Sequence, residues 1–112
     1  VLFRMGDPSH CLYVIASGRV STVLPGSNGN RLRLRTMGAG TLIGEIGLYT
    51  ETPRSTDAVT ETSSVLFALS KDRFRQLEHQ RPDIARQLHK YVVLSISRRM
   101  ALDSEAMRVF LS

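Results

Sequence analysis

The chain has 112 residues, 42% of them hydrophobic, which is enough for one domain with a modest core. No apolar run approaches the roughly 18 residues of a membrane span, so the sequence predicts no transmembrane segment, and a single cysteine excludes an internal disulfide. The net charge is +5, and residues 71–112 carry most of it, with nine basic against five acidic side chains. This basic part fits a solvated helix surface, or a contact with nucleic acid, anionic lipid or an acidic partner.

The chain begins directly on the strand-like run Val1-Leu2-Phe3, without a starting Met and without a signal peptide. We therefore expect a fragment of a longer protein, whose localisation depends on the parent chain. Cys11 is predicted to be a small buried hydrophobic residue, and the single cysteine favours a reducing, cytoplasmic setting.

Residues 1–70 are predicted to form β-structure, because short apolar runs alternate with Gly, Pro and Asn turn signals. In residues 31–35 arginine and leucine alternate strictly, which predicts a half-buried strand with its leucines towards the core. The arginines of this strand would face solvent or an anion. Residues 25–30 are typical of a hairpin tip. The predicted strands are residues 12–15, 20–24, 31–35, 56–62 and 64–69.

The C-terminal part is predicted to be helical. Ser70 is a suitable N-cap for a helix over residues 71–79, and Pro82 suits the start of a second helix. In residues 83–102 apolar side chains recur at helical spacing. The pattern predicts a single domain over residues 1–112, with β-structure in 1–70, helices in 71–112 and a weakly helical tail at 103–112.

The densest group of chemically informative residues lies in residues 44–58, between two predicted strands. Arg54 offers a planar set of N–H donors that suits a phosphate, whereas Glu45 accepts hydrogen bonds from a hydroxyl. Gly44 and Gly47 lack a Cβ, so backbone and ligand can approach closely. The four residues that begin with Glu45 are long enough for one helical turn, with its N–H groups towards the anion. The sequence therefore predicts a site for a small molecule with both an anion and a hydroxyl.

The run Gly-Glu-Ile-Gly-Leu from Gly44, followed by Pro-Arg-Ser-Thr from Pro53, resembles the phosphate-binding cassette of cyclic nucleotide-binding domains. Residues 1–23 resemble the early strands of that family, through the pattern G-D-x-x-x-x-L-Y-V-I-x-x-G-x-V. The resemblance implies a mainly β fold with C-terminal helices, in which an eight-stranded, jelly-roll-like β-roll contains the cassette at residues 44–58. A helix and part of a strand that usually come first in the family are missing before Val1, so we expect a trimmed N-terminus.

The same resemblance implies roles for the cassette residues. Arg54 would bind the phosphate of a cyclic nucleotide, and Pro53 would fix the point where the arginine leaves the backbone. Glu45 would accept a hydrogen bond from the ribose 2′-hydroxyl or bridge to Arg54, and Ser55 would touch the phosphate or the base. The implied ligand-binding residues are Gly44, Glu45, Ile46, Gly47, Leu48, Arg54, Ser55 and Thr56, with core packing as the alternative for Leu48.

An apolar slot would hold the base. By position in the family its candidates are Thr22, Leu34, Met37, Leu42 and Ile43, with Tyr91 as an aromatic cap from the C-terminal helix, and a plain core role is the alternative for each.

One residue departs from the family pattern. Asp57 stands where relatives mostly carry Ser, Thr or an apolar residue. Strand alternation places its side chain opposite that of Thr56, which predicts a position in solvent. An inward carboxylate would instead oppose phosphate binding.

The wider sequence resembles one branch of the family, the domains fused to bacterial sulfate-permease-type anion transporters. The resemblance rests on G-E-I-G-L-Y, P-R-S, V-L-F-A-L-S and R-P-D-I-A-R-Q-L-H-K-Y-V. It implies a cytoplasmic regulatory module of an inner-membrane protein. This module would bind cAMP in preference to cGMP and relay binding to the transporter by movement of its C-terminal helices.

Two alternatives stay open. The chain fits the ligand-binding domain of a catabolite-activator-type transcription factor, or a degenerate cassette that serves as a protein-interaction scaffold. No DNA-reading unit follows Leu102, so no direct nucleic-acid binding is expected of this chain. The C-terminal helices suit a homodimer. Arg98, Arg99 and Arg108 suit an acidic partner or a solvated helix face.

An enzyme on a β-roll is the rival from another class. Metal-dependent cupins need clustered ligands, but His10, His79 and His89 form no H-x-H pair, so neither a metal nor a cofactor is expected. Ser55 and Cys11 have no convincing base nearby. The sequence therefore predicts a binding domain and no catalytic residues.

Overall fold

The computed structural model describes the backbone of residues 1–111 and the side chains of residues 1–99. The chain divides into two compact units, Val1–Arg73 and Phe74–Ser112, and each is described by itself. Within the described residues, the elements of the first unit are β1 Cys11–Ser17, β2 Val20–Pro25, a 3-10 turn at Ser27–Gly29, β3 Arg31–Met37, β4 Leu42–Ile43, α1 Glu45–Thr50, β5 Asp57–Thr60 and β6 Val65–Ser70.

The strands form two antiparallel sheets with a core between them. One sheet has the order β4-β1-β6 and the other has the order β3-β2-β5. Both sheets supply apolar side chains to one buried cluster, and the N-terminal segment adds to it. The prediction of a mainly β, jelly-roll-like fold followed by helices is confirmed, and the two sheets do not close into a barrel. The buried cluster consists of Ile15, Val20, Met37, Ile43 and Ala58, with Leu2, Phe3, Tyr13 and Leu66 packed against it.

The number of strands differs from the eight expected. In the described part of the chain there are six strands and one isolated bridge, between Phe3 and Ala58. The bridge does not extend into a strand because the chain turns sharply after it. Gly6 has a φ of 88°, and the N–H of Asp7 donates to the carbonyl of Arg4 at 3.0 Å. The strand predicted at residues 56–62 is also shorter, and ends at Thr60.

The leucines of β3 were predicted to face the core, and this prediction is wrong. Leu32 is 60% exposed and Leu34 is 51% exposed. Every residue from Leu24 to Leu34 is exposed, so the far half of the β2–β3 hairpin extends beyond the core. Alternation along a strand identifies two faces, but it does not show whether the opposing sheet reaches far enough to cover one of them.

The helices follow the predicted pattern closely. They are α2, Lys71–Gln80, and α3, Pro82–Leu111, so the predicted tail continues the second helix. Ser70 is confirmed as a cap, since its Oγ accepts a hydrogen bond from the N–H of Arg73 at 3.2 Å. In the second unit the ring of Phe74 lies 4.6 Å from that of His89, which joins α2 to α3. None of the helices within the described residues is long and apolar enough to span a membrane.

Candidate functional site

Arg54 is the centre of the candidate site. It follows α1 and precedes β5, and it is only 6% exposed. Its guanidinium is held by main-chain oxygens, because Nη1 donates to the carbonyl of Gly44 at 3.0 Å and Nη2 donates to that of Cys11 at 2.6 Å. A guanidinium has five N–H donors. Nε has no hydrogen-bond partner among the residues that the structure describes. The group is thus buried, oriented and still able to donate.

Gly44 is required by the position of Arg54. Its φ is 79°, a left-handed conformation that glycine adopts without strain, and it caps the N-terminus of α1. A Cβ at this position would lie 2.1 Å from Nη1 of Arg54. The guanidinium therefore occupies the space that any other residue at position 44 would fill.

Helix α1 places the other cassette residues. Glu45 is its first residue and is fully buried. An acidic residue in the first turn also suits the helix dipole. Ile46 is 40% exposed, whereas Leu48 is 5% exposed and belongs to the buried side of the helix, as its alternative core role predicted. The buried carboxylate therefore belongs to the residue that directly follows Gly44, and the carbonyl of Gly44 accepts a hydrogen bond from Arg54.

Gly47 marks a second close approach. A Cβ there would lie 2.2 Å from Oγ of Ser9 and 3.1 Å from the carbonyl of Thr52. The hydroxyl of Ser9 donates to that same carbonyl at 2.6 Å. The sequence did not single out Ser9, because its partners lie about forty residues further along the chain and no local pattern links them.

Asp57 was predicted to face solvent, and the structure contradicts this. The residue is 6% exposed. Its Oδ1 accepts a hydrogen bond from the N–H of Met5 at 2.7 Å, and its Oδ2 pairs with Nη2 of Arg31 at 2.9 Å. The bond from Met5, followed by the contact with Arg31, holds the pKa of Asp57 below its ordinary value. The charge is therefore neutralised within the fold.

Cys11 differs from the buried hydrophobic residue that was predicted. It is partly exposed, and its carbonyl, rather than its thiol, contacts Arg54. Hydrogen bonding between the side chains of Cys11 and Tyr13 raises the pKa of Tyr13, and burial adds to the rise, while the positive charge of Arg54 opposes it.

The remaining predicted residues are dispersed. Ser55 is exposed and Thr56 is half-buried, both in the bend before β5. Of the proposed base pocket, Leu42 is buried, Met37 and Ile43 lie in the core cluster, Thr22 is half-buried and Leu34 is exposed. Tyr91 belongs to the second unit and is 45% exposed. The side chain of Arg108 lies outside the described residues, whereas Arg98 is exposed and Arg99 is partly buried.

Two contacts connect the cassette to neighbouring segments. Lys71, the first residue of α2, forms an ion pair with Glu51, which caps the C-terminus of α1. The guanidinium of Arg54 lies against the ring of Phe3, with Cζ 4.3 Å from the ring centroid. The sequence missed Phe3, since no local signal relates two residues so far apart.

The chain is similar to known proteins over most of its length. A family model for the cyclic nucleotide-binding domain matches residues 1–81. The cAMP-activated global transcriptional regulator CRP of Salmonella typhimurium is 30% identical over 105 residues, which are 93% of this chain and 48% of that protein. The chain thus spans about half the length of the curated relatives it matches.

Solved structures resemble the chain over nearly its whole length. A cyclic nucleotide-binding domain from Methylobacillus flagellatus superposes with a TM-score of 0.82 at 26% identity, covering 94% of this chain and 59% of that one. The global regulator CLP of Xanthomonas campestris, described as responsive to c-di-GMP, superposes with a TM-score of 0.79 at 33% identity. That superposition covers 99% of this chain and 56% of CLP.

Proposed function

Because this chain belongs to the family of cyclic nucleotide-binding domains, we propose that it is a regulatory sensor that binds a cyclic nucleotide at residues 44–58. The observation that carries the proposal is the buried guanidinium of Arg54 in the space left by Gly44. A planar, permanently charged donor group suits the two free oxygens of a cyclic phosphodiester. Its burial removes competition from water, which strengthens the interaction with an anion.

The other cassette residues have complementary roles in this proposal. Glu45 is a buried carboxylate, and a carboxylate only accepts hydrogen bonds, so it suits a ribose hydroxyl rather than a phosphate. The N–H groups of Ile46 and Gly47 lie in the first turn of α1, where a helix supplies no carbonyl partner, and they suit the phosphate oxygens. Ser55 and Thr56 would contact the ligand from the following bend, and Leu48 would support α1 from the core.

The identity of the base is a finer proposal. We favour cAMP over cGMP, which the relation to the cAMP-activated regulator CRP supports. The likeness to a regulator described as responsive to c-di-GMP makes that dinucleotide the first competitor to test. Thr22, Leu34, Met37, Leu42, Ile43 and Tyr91 remain the predicted surroundings of the base.

In this proposal the ligand changes the activity of the longer protein to which the chain belongs. Ligand binding would shift the population of the C-terminal helices, to the extent that the ligand prefers one arrangement. The ion pair between Glu51 and Lys71 supports such a relay, because it joins the end of α1 to the start of α2. A cytoplasmic setting and a homodimer through the C-terminal helices belong to the same proposal.

The relatives support a transcription factor, rather than an anion transporter, as the longer protein that contains this domain. Both CRP and CLP are described as global regulators, and CRP as a transcriptional one, which supports the transcription-factor alternative. Attachment to a sulfate-permease-type transporter has no counterpart among these relatives. We propose accordingly that the chain senses the ligand without catalysing a reaction and without binding nucleic acid itself.

The function is tested by thermal unfolding of the chain with cAMP, cGMP or c-di-GMP, and with adenosine as a control that lacks the phosphate. A ligand that binds only the folded state at a hundredfold excess over its Kd stabilises it by about 2.7 kcal/mol, which raises Tm by about 10 °C. We expect this rise with cAMP and none with adenosine. An unchanged Tm with all three cyclic nucleotides would favour the degenerate, scaffolding cassette.

A further inference from the structure

The backbone of Arg54 is fixed by the N-terminal segment, residues 2–7. The N–H of Arg54 donates to the carbonyl of Asp7 at 2.9 Å, and the N–H of Gly6 donates to the carbonyl of Arg54 at 2.8 Å. The same segment exchanges backbone hydrogen bonds with Ala58, at 2.7 and 3.0 Å. The stretch from Arg54 to Ala58 is therefore held at both ends by the N-terminal segment.

The side chain of Arg54 is held by the same segment. Cζ of the guanidinium lies over the ring of Phe3, 4.3 Å from the ring centroid, well within the range of a cation–π interaction. Phe3 is itself fixed, since its ring stacks on that of Tyr13 at 6.3 Å and it packs against the core cluster. Phe3 is thus tied to the core as well as to the arginine.

The ring contact and the two carbonyl contacts together limit how the guanidinium can act. The bonds from Nη1 to Gly44 and from Nη2 to Cys11 orient the group, and the ring of Phe3 lies against its central carbon. The N–H donors of a guanidinium lie in its plane, and Nε has no partner among the described residues, so an anion can meet Nε in that plane. In-plane approach is the geometry of a bidentate arginine–phosphate pair.

We propose that Phe3 is a positioning residue for Arg54, which holds the guanidinium in its anion-binding orientation before the ligand arrives. This inference rests on the proposed function of the site. Without the ring, Arg54 would populate other rotamers, and the apparent affinity would fall by the fraction of molecules that lose the competent orientation. Phe3 would act on the ligand through its contact with the guanidinium of Arg54.

The first test needs no nucleotide. In the ligand-free protein the ring current of Phe3 should move the Nε–H resonance of Arg54 upfield in a proton–nitrogen NMR spectrum. Phe3→Leu should return this resonance to an ordinary position, whereas Phe3→Tyr should keep it upfield. An Nε–H resonance that is the same in the parent and in Phe3→Leu would overturn the inference.

The second test measures cAMP affinity by calorimetry. Phe3→Leu should weaken binding by about threefold to thirtyfold, the range of cation–π energies, and Phe3→Tyr should restore it. Leu66→Val is the matched control, because Leu66 packs against the same core cluster as Phe3. It should lower stability and leave the affinity unchanged. Equal affinity in Phe3→Leu and the parent would overturn the inference.

If Phe3→Leu does not fold, 3,4,5-trifluorophenylalanine at position 3 takes its place. This residue keeps the shape of the ring but withdraws its π-electron density, so weaker binding at an unchanged Tm is expected. Binding as tight as that of the parent would overturn the inference. The unmutated chain could show the upfield Nε–H resonance and yet bind no nucleotide. That result would overturn the proposed function and the positioning role that rests on it, but the contact between Phe3 and Arg54 would stand.

Discussion

Gly44 and Arg54 depend on each other through one contact. The left-handed φ of 79° at Gly44 and the 2.1 Å that would separate a Cβ from Nη1 of Arg54 give the glycine two independent reasons to be there. A substitution at Gly44 therefore changes both the backbone and the place of the guanidinium.

We predict that Gly44→Ala loses stability and nucleotide affinity together. The left-handed conformation alone should lower the free energy of unfolding by about 1–2 kcal/mol, and displacement of Arg54 should add to the loss. Gly40→Ala is the matched control, since Gly40 has a similar φ of 86° but nothing within 4 Å of its would-be Cβ. Urea unfolding and cAMP titration measure both effects. A Gly44→Ala protein no worse than Gly40→Ala in stability and affinity would contradict the prediction.

The sequence was most informative about single residues within one short segment. Gly44, Glu45 and Arg54 were predicted because they lie within eleven residues of one another and form a recognisable pattern. Phe3, Ser9 and the partners of Asp57 were not predicted, because they reach the site only through the folding of the sheets.

At the scale of elements, Asp57 joins three segments. It lies at the start of β5, accepts a hydrogen bond from the N–H of Met5, and pairs across β2 with Arg31 at the start of β3. An inward carboxylate was expected to oppose phosphate binding, but Asp57 instead links the N-terminal segment to the second sheet.

We predict that this link gives the protein a specific acid sensitivity. The pKa of Asp57 is lower when folded, so its contribution to stability is present above the unfolded value near 3.8 and is lost as the pH falls through the folded pKa. The free energy of unfolding, measured with urea from about pH 7 down to about pH 2, should decline in the parent. Asp57→Asn should be less stable near neutral pH and should decline less on acidification.

Arg31→Met is the control for that experiment, because it removes the second cause of the lowered pKa and leaves the bond from Met5. It should lose only part of the acid-sensitive stability. An acid profile of Asp57→Asn that parallels the parent would contradict the assignment.

The sequence predicted features that depend on neighbouring residues, such as helix starts. It did not predict features that depend on distant parts of the fold, such as the burial of a strand face. Ser70 caps α2 through a hydrogen bond within one turn, Pro82 is the first residue of α3, and the structure confirms both. The exposed leucines of β3 could not be predicted, because their exposure depends on the reach of the opposite sheet.

At the scale of the whole molecule, the proposed relay runs from the cassette to the helices. The ion pair between Glu51 and Lys71 is a described connection between α1 and the beginning of α2. The sequence located the change from strands to helices at Ser70, close to the boundary of the two units after Arg73. Sequence periodicity gave the helices but not their response to a ligand, which depends on differences in free energy between arrangements.

We predict that cAMP slows amide hydrogen exchange in α1 and residues 54–58 and also changes it in α2 and α3, because a relay must alter both. Mass spectrometry of deuterated peptides, with and without cAMP, measures this. Adenosine serves as the control ligand. Protection confined to the cassette, with α2 and α3 unchanged, would contradict the relay while leaving binding intact.

The central claim, that Arg54 binds the phosphate of a cyclic nucleotide, is tested most directly by calorimetric titration of cAMP into the parent and into Arg54→Ala. The account predicts saturable binding by the parent and a loss of about 2–5 kcal/mol in the variant, as expected for removal of one member of a buried charged pair. Circular dichroism should show that both proteins are folded. Equal affinity in the two folded proteins, or no heat from the folded parent, would contradict the account.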